Sequence, residues 1–244
     1  MDFNLKVGTS FDKTDNIVIC TEDSTSGFDF WNYINDNVFD SKLDIRRCGK
    51  HSNNAKLLKF VKSIKLDDKI YYIAFDNLFD NPAVVKLFYE LINYVRQENL
   101  SNVVILDLVC FEYFILKFSK LIDWCFKEGC ELKNKRIDLI KCRDEFIDPS
   151  KSIYDYKNGE GVNRFINEHN CNNIEQFCSK LLSSLTRNTG FHITKGHLDE
   201  CWINDCCLVN EDIVFECGLE FCKLSCKEKA LALWSEMELN AIKI

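Results

Sequence analysis

The first half of the chain alternates two hydrophobic rhythms. Short apolar runs predict strands, NIVIC at 16–20, IYYIAF at 70–75 and NVVILDLV at 102–109, and KLDIRRC at 42–48, ended by Gly49, is read as one more. Between them the apolar positions space out at three and four. Phe28, Trp31, Ile34 and Val38 mark one helix. Leu57, Phe60, Val61 and Ile64 mark a second, capped by Asn54, and Val84, Val85, Phe88, Leu91, Ile92 and Val95 mark a third that opens at Pro82. The segment CFEYFILKFSKLIDWCFK, 110–127, reads as one strongly apolar helix. Continuous apolar strands separated by helices predict an α/β fold, a parallel sheet flanked by helices.

Beyond Gly129 the rhythm weakens. ELKNKRIDLIKCRDEF, 131–146, fits one more strand or a helix, and IDPSKSIYDYKNGEG, 147–161, has the Pro, Ser, Asn and Gly content of a connection. Helical spacing returns from Ile174 to Leu185. The last stretch, KEKALALWSEMELNAIKI, 227–244, reads as a helix with Ala230, Leu233, Trp234 and Met237 on one side. The expected organisation is an α/β domain over 1–145 followed by a mainly helical, cysteine-rich C-terminal region over 146–244.

At 244 residues and 46% hydrophobic content, the chain can fill a sizeable core. Its longest apolar runs are broken by Asp107, Glu112 and Lys117, short of the ~20 residues that span a bilayer, so no membrane association is expected. The opening MDFNLKVGTSFDKTDN lacks a basic region followed by an apolar stretch and is not read as a secretory signal, which points to the cytosol. Fourteen cysteines in a chain of this length fit reduced thiols better than a disulfide scaffold. Cys20, Cys110 and Cys125 lie in apolar surroundings, where buried, inert thiols are expected.

A net charge of −7 argues against holding nucleic acid by bulk electrostatics. The cations are nevertheless uneven. Between 42 and 69 stand Lys42, Arg46, Arg47, Lys50, Lys56, Lys59, Lys62, Lys65 and Lys69, against only Asp44, Asp67 and Asp68. That stretch is either a phosphate-facing surface or the solvated face of a helix.

In an open parallel sheet the carboxyl ends of the strands converge on one edge, where ligands bind. Three such ends carry acids: Glu22 with Asp23 after the first strand, Asp76 with Asp80 after the third, and Glu112 after the fourth. Carboxylates gathered in one pocket repel each other and call for a cation. Hard oxygen ligands favour Mg²⁺ or Mn²⁺, which can activate water and stabilise charge on a phosphoryl group. The plainer role is capping, by Glu22 to Ser24 and by Asp80 or Asn81, with Glu112 favoured by its own helix dipole.

This arrangement resembles the Toprim fold shared by topoisomerases, bacterial primases, and OLD-type and related stand-alone nucleases of phage-defence systems. The resemblance rests on Glu22 in IVICTED, Gly49 in LDIRRCGK, Asp76 and Asp80 in IAFDNLFD, and CFEYFIL at 110–116, and it covers about residues 16–120. It implies Mg- or Mn-dependent hydrolysis of nucleic-acid phosphodiesters in a phage-defence or mobile-element system. Glu22 would be the general acid/base, Asp76 and Asp80 would carry metal, and Glu112 would hold a second ion or brace the site. Leu78 stands where the family has its central aspartate, so a second ion would have to recruit Asn77, Asp23 or Glu112. The alternative is a catalytically degenerate interaction or regulatory protein. A phosphoreceiver module also sets an acidic pair after strand one and an aspartate after strand three, but strand four here runs into Val109 and Cys110 where it should end in Ser or Thr.

Cys201, Cys206, Cys207, Cys217, Cys222 and Cys226 crowd the tail, with His192 and His197 upstream. Four thiolates such as Cys201, Cys206, Cys207 and Cys217 can enclose a structural zinc ion tetrahedrally. Buried thiols, or disulfide and redox chemistry, are the other readings. Trp202, Ile203, Leu208 and Val209 suggest a packed element or a surface for a protein partner.

Overall fold

In the computed structural model, which describes residues 16–23, 25–48, 53–76, 78–194, 197–205, 224–237 and 239–242, the apolar runs of the first half become strands. They are β1 (Ile17–Thr21), β2 (Asp44–Arg47), β3 (Ile70–Ala74) and β4 (Val103–Asp107), paired in parallel in the order β2-β1-β3-β4. All five residues of β1 are buried, which is why it carries no alternation of polar positions. Each fully buried aliphatic side chain of such a strand contributes about 1.5–3 kcal/mol.

The first crossover runs from β1 outward to β2, and the next two run the opposite way, to β3 and then β4. Right-handed crossovers therefore put α1 (Ser26–Val38) on one face and both α2 (Asn54–Val61) and α3 (Pro82–Gln97) on the other. Val18, Cys20, Ile73, Phe75 and Ile105 pack against Leu57 and Val61 of α2 and Leu91 of α3. Period-two alternation sends Ile19, Thr21 and Ala74 to the α1 face. At the end of α1, buried Asn35 both donates to Leu43 O and accepts from Leu43 N–H, each at 3.0 Å, fixing where β2 begins. The α2 cap is Asn53, whose side chain accepts from Lys56 N–H at 3.0 Å, one residue earlier than the sequence predicts.

Contacts within the chain divide it into two compact units, Met1–Phe111 with Ala230–Ile244, and Glu112–Lys229. The sequence places its boundary after 145; the contacts divide instead at Phe111, because α7 (Ile137–Phe146) packs on α8 (Glu160–His169) and α9 (Ile174–Thr186). The final residues belong with the sheet. Trp234 meets Phe39 edge-on with centroids 5.2 Å apart, and a short strand β7 (Asn240–Ala241) pairs antiparallel with β4. The expected helix over 227–244 accordingly stops at Glu236 as α11 (Cys226–Glu236), which leaves Met237 outside it.

The second unit is mainly helical, as the sequence predicts for the C-terminal region. The expected single helix over 110–127 is interrupted, giving α4 (Phe111–Lys117) and α5 (Leu121–Cys125). The break has a physical cause: the buried Arg143 guanidinium donates to Leu116 O and Phe118 O, both at 2.7 Å, and takes carbonyls that helix continuation would use. The stretch 131–146 forms α6 (Glu131–Lys135) and α7. The stretch read as a connection holds a 3-10 helix, Ile153–Asn158, and the first two residues of α8. A hairpin of β5 (Ile193–Thr194) and β6 (His197–Leu198) then leads to α10 (Glu200–Ile203). Two aromatic groups fill this unit. Phe177 packs edge-on against Phe146 and Phe165, and Trp124 packs against Phe191 and Trp202. Among the described residues no helix is long and apolar enough to cross a membrane.

Candidate functional site

The chain reverses its direction of travel between β1 and β3, which are hydrogen-bonded neighbours in register from Ile17↔Ile70 to Thr21↔Ala74. Their carboxyl ends therefore open side by side at the topological switch point, the place where open α/β sheets bind ligands. Glu22 and Asp23 follow β1 there, and Asp76 follows β3. Pairing continues past β3, since Asp76 bridges Leu108 in parallel, so alternation still holds at Asp76. Phe75 belongs to the α2/α3 core, and Asp76 consequently lies on the α1 face, the face of Thr21. It is 5% exposed.

Asp23 also turns toward α1. Its N–H donates to Thr21 Oγ1 at 3.1 Å, and Thr21 Oγ1 lies 3.4 Å from Asp23 Oδ2. The carboxylate folds over the first turn of α1 so closely that a Cβ at Gly27 would collide with it. Thr25, the N-cap residue, makes no side-chain capping bond, so Asp23 supplies negative charge at the positive end of this 13-residue helix. Glu22, half-buried at the bend after β1, completes the acidic strand end. Asp23 is the residue that spacing alone undervalues. The signal for it is the pair Asp23 and Gly27, four apart, where only glycine leaves room for the carboxylate.

After β3 the chain turns tightly. Leu78 N–H donates to Asp76 O at 3.0 Å, and Asn81 N–H donates to Leu78 O at 2.9 Å. Asn81 caps α3 through Ala83 N–H at 3.2 Å, with Pro82 opening the helix, so Asn81 fills the capping role considered for Asp80. Leu78 is 2% exposed, a core residue at the position where the Toprim pattern sets its central aspartate. Asp80 is half-buried in the same turn. Glu112 sits in the first turn of the seven-residue α4 and belongs to the second unit. Gly49 and Asn77 lie outside the described residues.

Across the sheet edge, Arg47 ends β2 in register with Thr21. The neighbouring Arg46 is held in an ion pair with Asp44. On the opposite face burial pushes the Cys20 thiol well above its ordinary range, so it remains protonated. Burial and the hydrogen bond to Asp67 push Tyr71 up to about 12.

Of the possible zinc ligands, Cys206, Cys207 and Cys217, together with Cys222, lie outside the described residues. Cys201 is buried, its sulfur packed so tightly on Gly190 that a Cβ there would collide with it. His192 Nε2 stands 3.3 Å from Ser183 Oγ, and His197 Nε2 stands 3.2 Å from Asp199 Oδ1. Among the described residues no three His, Cys, Asp or Glu side chains form a group that could hold a metal ion. Comparison with protein-family models, curated proteins and solved structures finds no match to the chain.

Cys20 and Cys125 are buried thiols, as the sequence predicts, and Cys110 is buried too. Burial pushes Cys125 and Cys142 each up to about 12, which removes them as nucleophiles near neutral pH.

Proposed function

We propose that the protein is a Mg²⁺- or Mn²⁺-dependent hydrolase of nucleic-acid phosphodiesters whose centre is the carboxyl edge between β1 and β3. The observation that supports this reading is the register of those two strands, which sets the end of β1, followed by Glu22 and Asp23, next to the end of β3, followed by Asp76, although more than fifty residues separate Asp23 from Asp76. A closed cage of three protein ligands does not fit the described residues. An open site does: Mg²⁺ is commonly held by one or two carboxylates, with water and substrate phosphate completing its six oxygens. When bound, the ion would neutralise phosphoryl charge and lower the pKa of a water.

The chain's own groups then divide the work. Asp76, buried and fixed by the bridge to Leu108, is suited to hold charge in one place. Glu22, more accessible at the bend, is suited to move a proton as general acid/base. Asp23, anchored to Thr21 and α1, shapes the field between them. Asp80 stands in the turn that follows, within the same proposal as a metal-carrying residue; the brace or second-ion role of Glu112, a residue of the second unit, rests on the sequence reading alone. A role in phage defence or a mobile element, a cytosolic setting, and a zinc ion or protein partner in the C-terminal region rest on the sequence reading alone.

A second reading, a catalytically degenerate Toprim-like interaction or regulatory protein, is favoured by Leu78, a buried apolar side chain at the position of the pattern's middle carboxylate. A phosphoreceiver-like module shares the strand order. Its fifth parallel strand has no counterpart among the described residues, where the strand beyond β4 is the antiparallel β7.

The test is cleavage of labelled single-stranded DNA, duplex DNA and RNA by the full chain with Mg²⁺, Mn²⁺ or EDTA. The hydrolase requires cation-dependent cleavage that falls about a hundredfold or more in Glu22→Gln and in Asp76→Asn. Intact substrate under every cation would leave the degenerate reading in place.

A further inference from the structure

We infer that Arg47 is a phosphate-positioning residue, delivering a nucleic-acid backbone to the β1–β3 edge; this rests on the proposed site but not on its being catalytic. Arg47 closes β2, the edge strand of the parallel sheet, opposite Thr21 of β1. Residues paired across parallel strands share a face, so Arg47 points to the α1 side, the side of Asp23 and Asp76. The structure bears this out, because the Arg47 guanidinium lies over the Phe28 ring of α1, 5.3 Å from its centroid. Two strand spacings, roughly 10 Å, separate the ends of β2 and β3. That is a short enough reach for one backbone to touch both.

The two arginines of β2 are used differently. Arg46 accepts a local partner, since its Nε donates to Asp44 Oδ2 at 2.8 Å. Arg47 is exposed and braced by an aromatic ring that limits its rotamers without occupying its donors. A planar fork held this way suits bidentate contact with a phosphate, which a lysine cannot reproduce. The surrounding charge is of the right sign. Between 42 and 69 nine cations stand against three acids in a chain whose net charge is −7, and Lys56, Lys59 and Lys65 of the same stretch are exposed. Lys56 and Lys59 stand on α2, across the sheet from the Arg47 face, so they favour approach of a polyanion to the first unit as a whole, and the contact at the β1–β3 edge falls to Arg47.

The experiment measures binding without turnover. Fluorescence anisotropy of a labelled single-stranded DNA, with a duplex and an RNA of the same sequence as further arms, is followed against Asp76→Asn protein across a salt series. Adding Arg47→Ala should weaken binding about tenfold and lower the salt slope by about one ion. Arg47→Lys should restore the slope but only part of the affinity, and Phe28→Leu should weaken binding with the charge intact. Unchanged affinity and slope in Arg47→Ala, or no binding of any of the three probes, would overturn the inference. Arg47-dependent binding by a wild-type chain that cuts nothing would remove the hydrolase and keep this role. Cleavage lost in Asp76→Asn with an unchanged KM in Arg47→Ala would do the reverse.

Discussion

The two units of this chain are held together by different means. In the first, neighbouring strands lie in register over a core of Val18, Ile73, Leu91 and Ile105, and its clamps on backbone carbonyls come from neutral side chains, Asn35 on Leu43 O and Asn102 on Lys65 O. In the second, charged side chains close helix ends that are distant in sequence. Arg136 donates to Ser184 O at 2.6 Å at the end of α9, and Arg143 closes α4. Glu145 accepts the N–H groups of Glu160, Gly161 and Val162 at the start of α8, and Lys180 donates to His169 O at its end. Helix termini leave four backbone groups unsatisfied at each end, and here long side chains supply the missing partners. Each such contact joins two elements, so the second unit adds charged ties between helices to the periodic burial along α9.

The contrast predicts where each unit breaks. The largest effect belongs to Ile73→Ala, fully buried in the centre of β3, which should cost about 4 kcal/mol. Hydrogen exchange should then speed up in β1, β3 and β4 while amides of α8 and α9 keep their protection. Equal acceleration in both units would erase the distinction.

Arg143→Met comes next. It preserves much of the stem but takes the guanidinium donor from Leu116 O and from Phe118 O, which keeps only Leu121 N–H at 3.1 Å, at about 3 kcal/mol by denaturant unfolding. If α4 and α5 are separated by the guanidinium, exchange at Phe118 to Lys120 should also change. A neutral substitution would mean that packing alone holds this unit.

Glu145→Ala should cost about 1–2 kcal/mol and bring a pH signature. Burial raises the Glu145 pKa, but three backbone N–H bonds and Lys151 outweigh it, so the folded carboxyl titrates below its ordinary 4.5. Stability from this group is fully present above that ordinary value and is lost as pH falls through the depressed folded one. The wild type should therefore lose α8 protection below about pH 4.5 faster than Glu145→Ala does. Parallel acid profiles for the two proteins would place the acid sensitivity elsewhere.

The same contrast explains what could be read from the sequence. Strands β1, β3 and β4 are legible because burial prints itself as continuous apolar runs, and helices α1 to α3 because it prints a period of three and four. Helix α8 is not. Its N-terminal partner, Glu145, lies fifteen residues before Glu160, and nothing within 147–161 signals a cap. The break after α4 is likewise imposed from Arg143, twenty-five residues beyond Phe118. At the candidate site, pattern identifies which acids stand at strand ends, but it does not say which way a residue turns once the ladder stops. That is how Leu78 enters the core and Asp23 folds onto Gly27.

The most direct test of the proposed site is where a cation settles. Crystals of the full chain grown with Mn²⁺ and a phosphorothioate oligonucleotide, measured at the manganese absorption edge, should show an anomalous peak at the carboxyl ends of β1 and β3, against Asp76 and absent from Asp76→Asn crystals. A manganese peak elsewhere on the chain, or the same peak in the Asp76→Asn protein, would contradict the account.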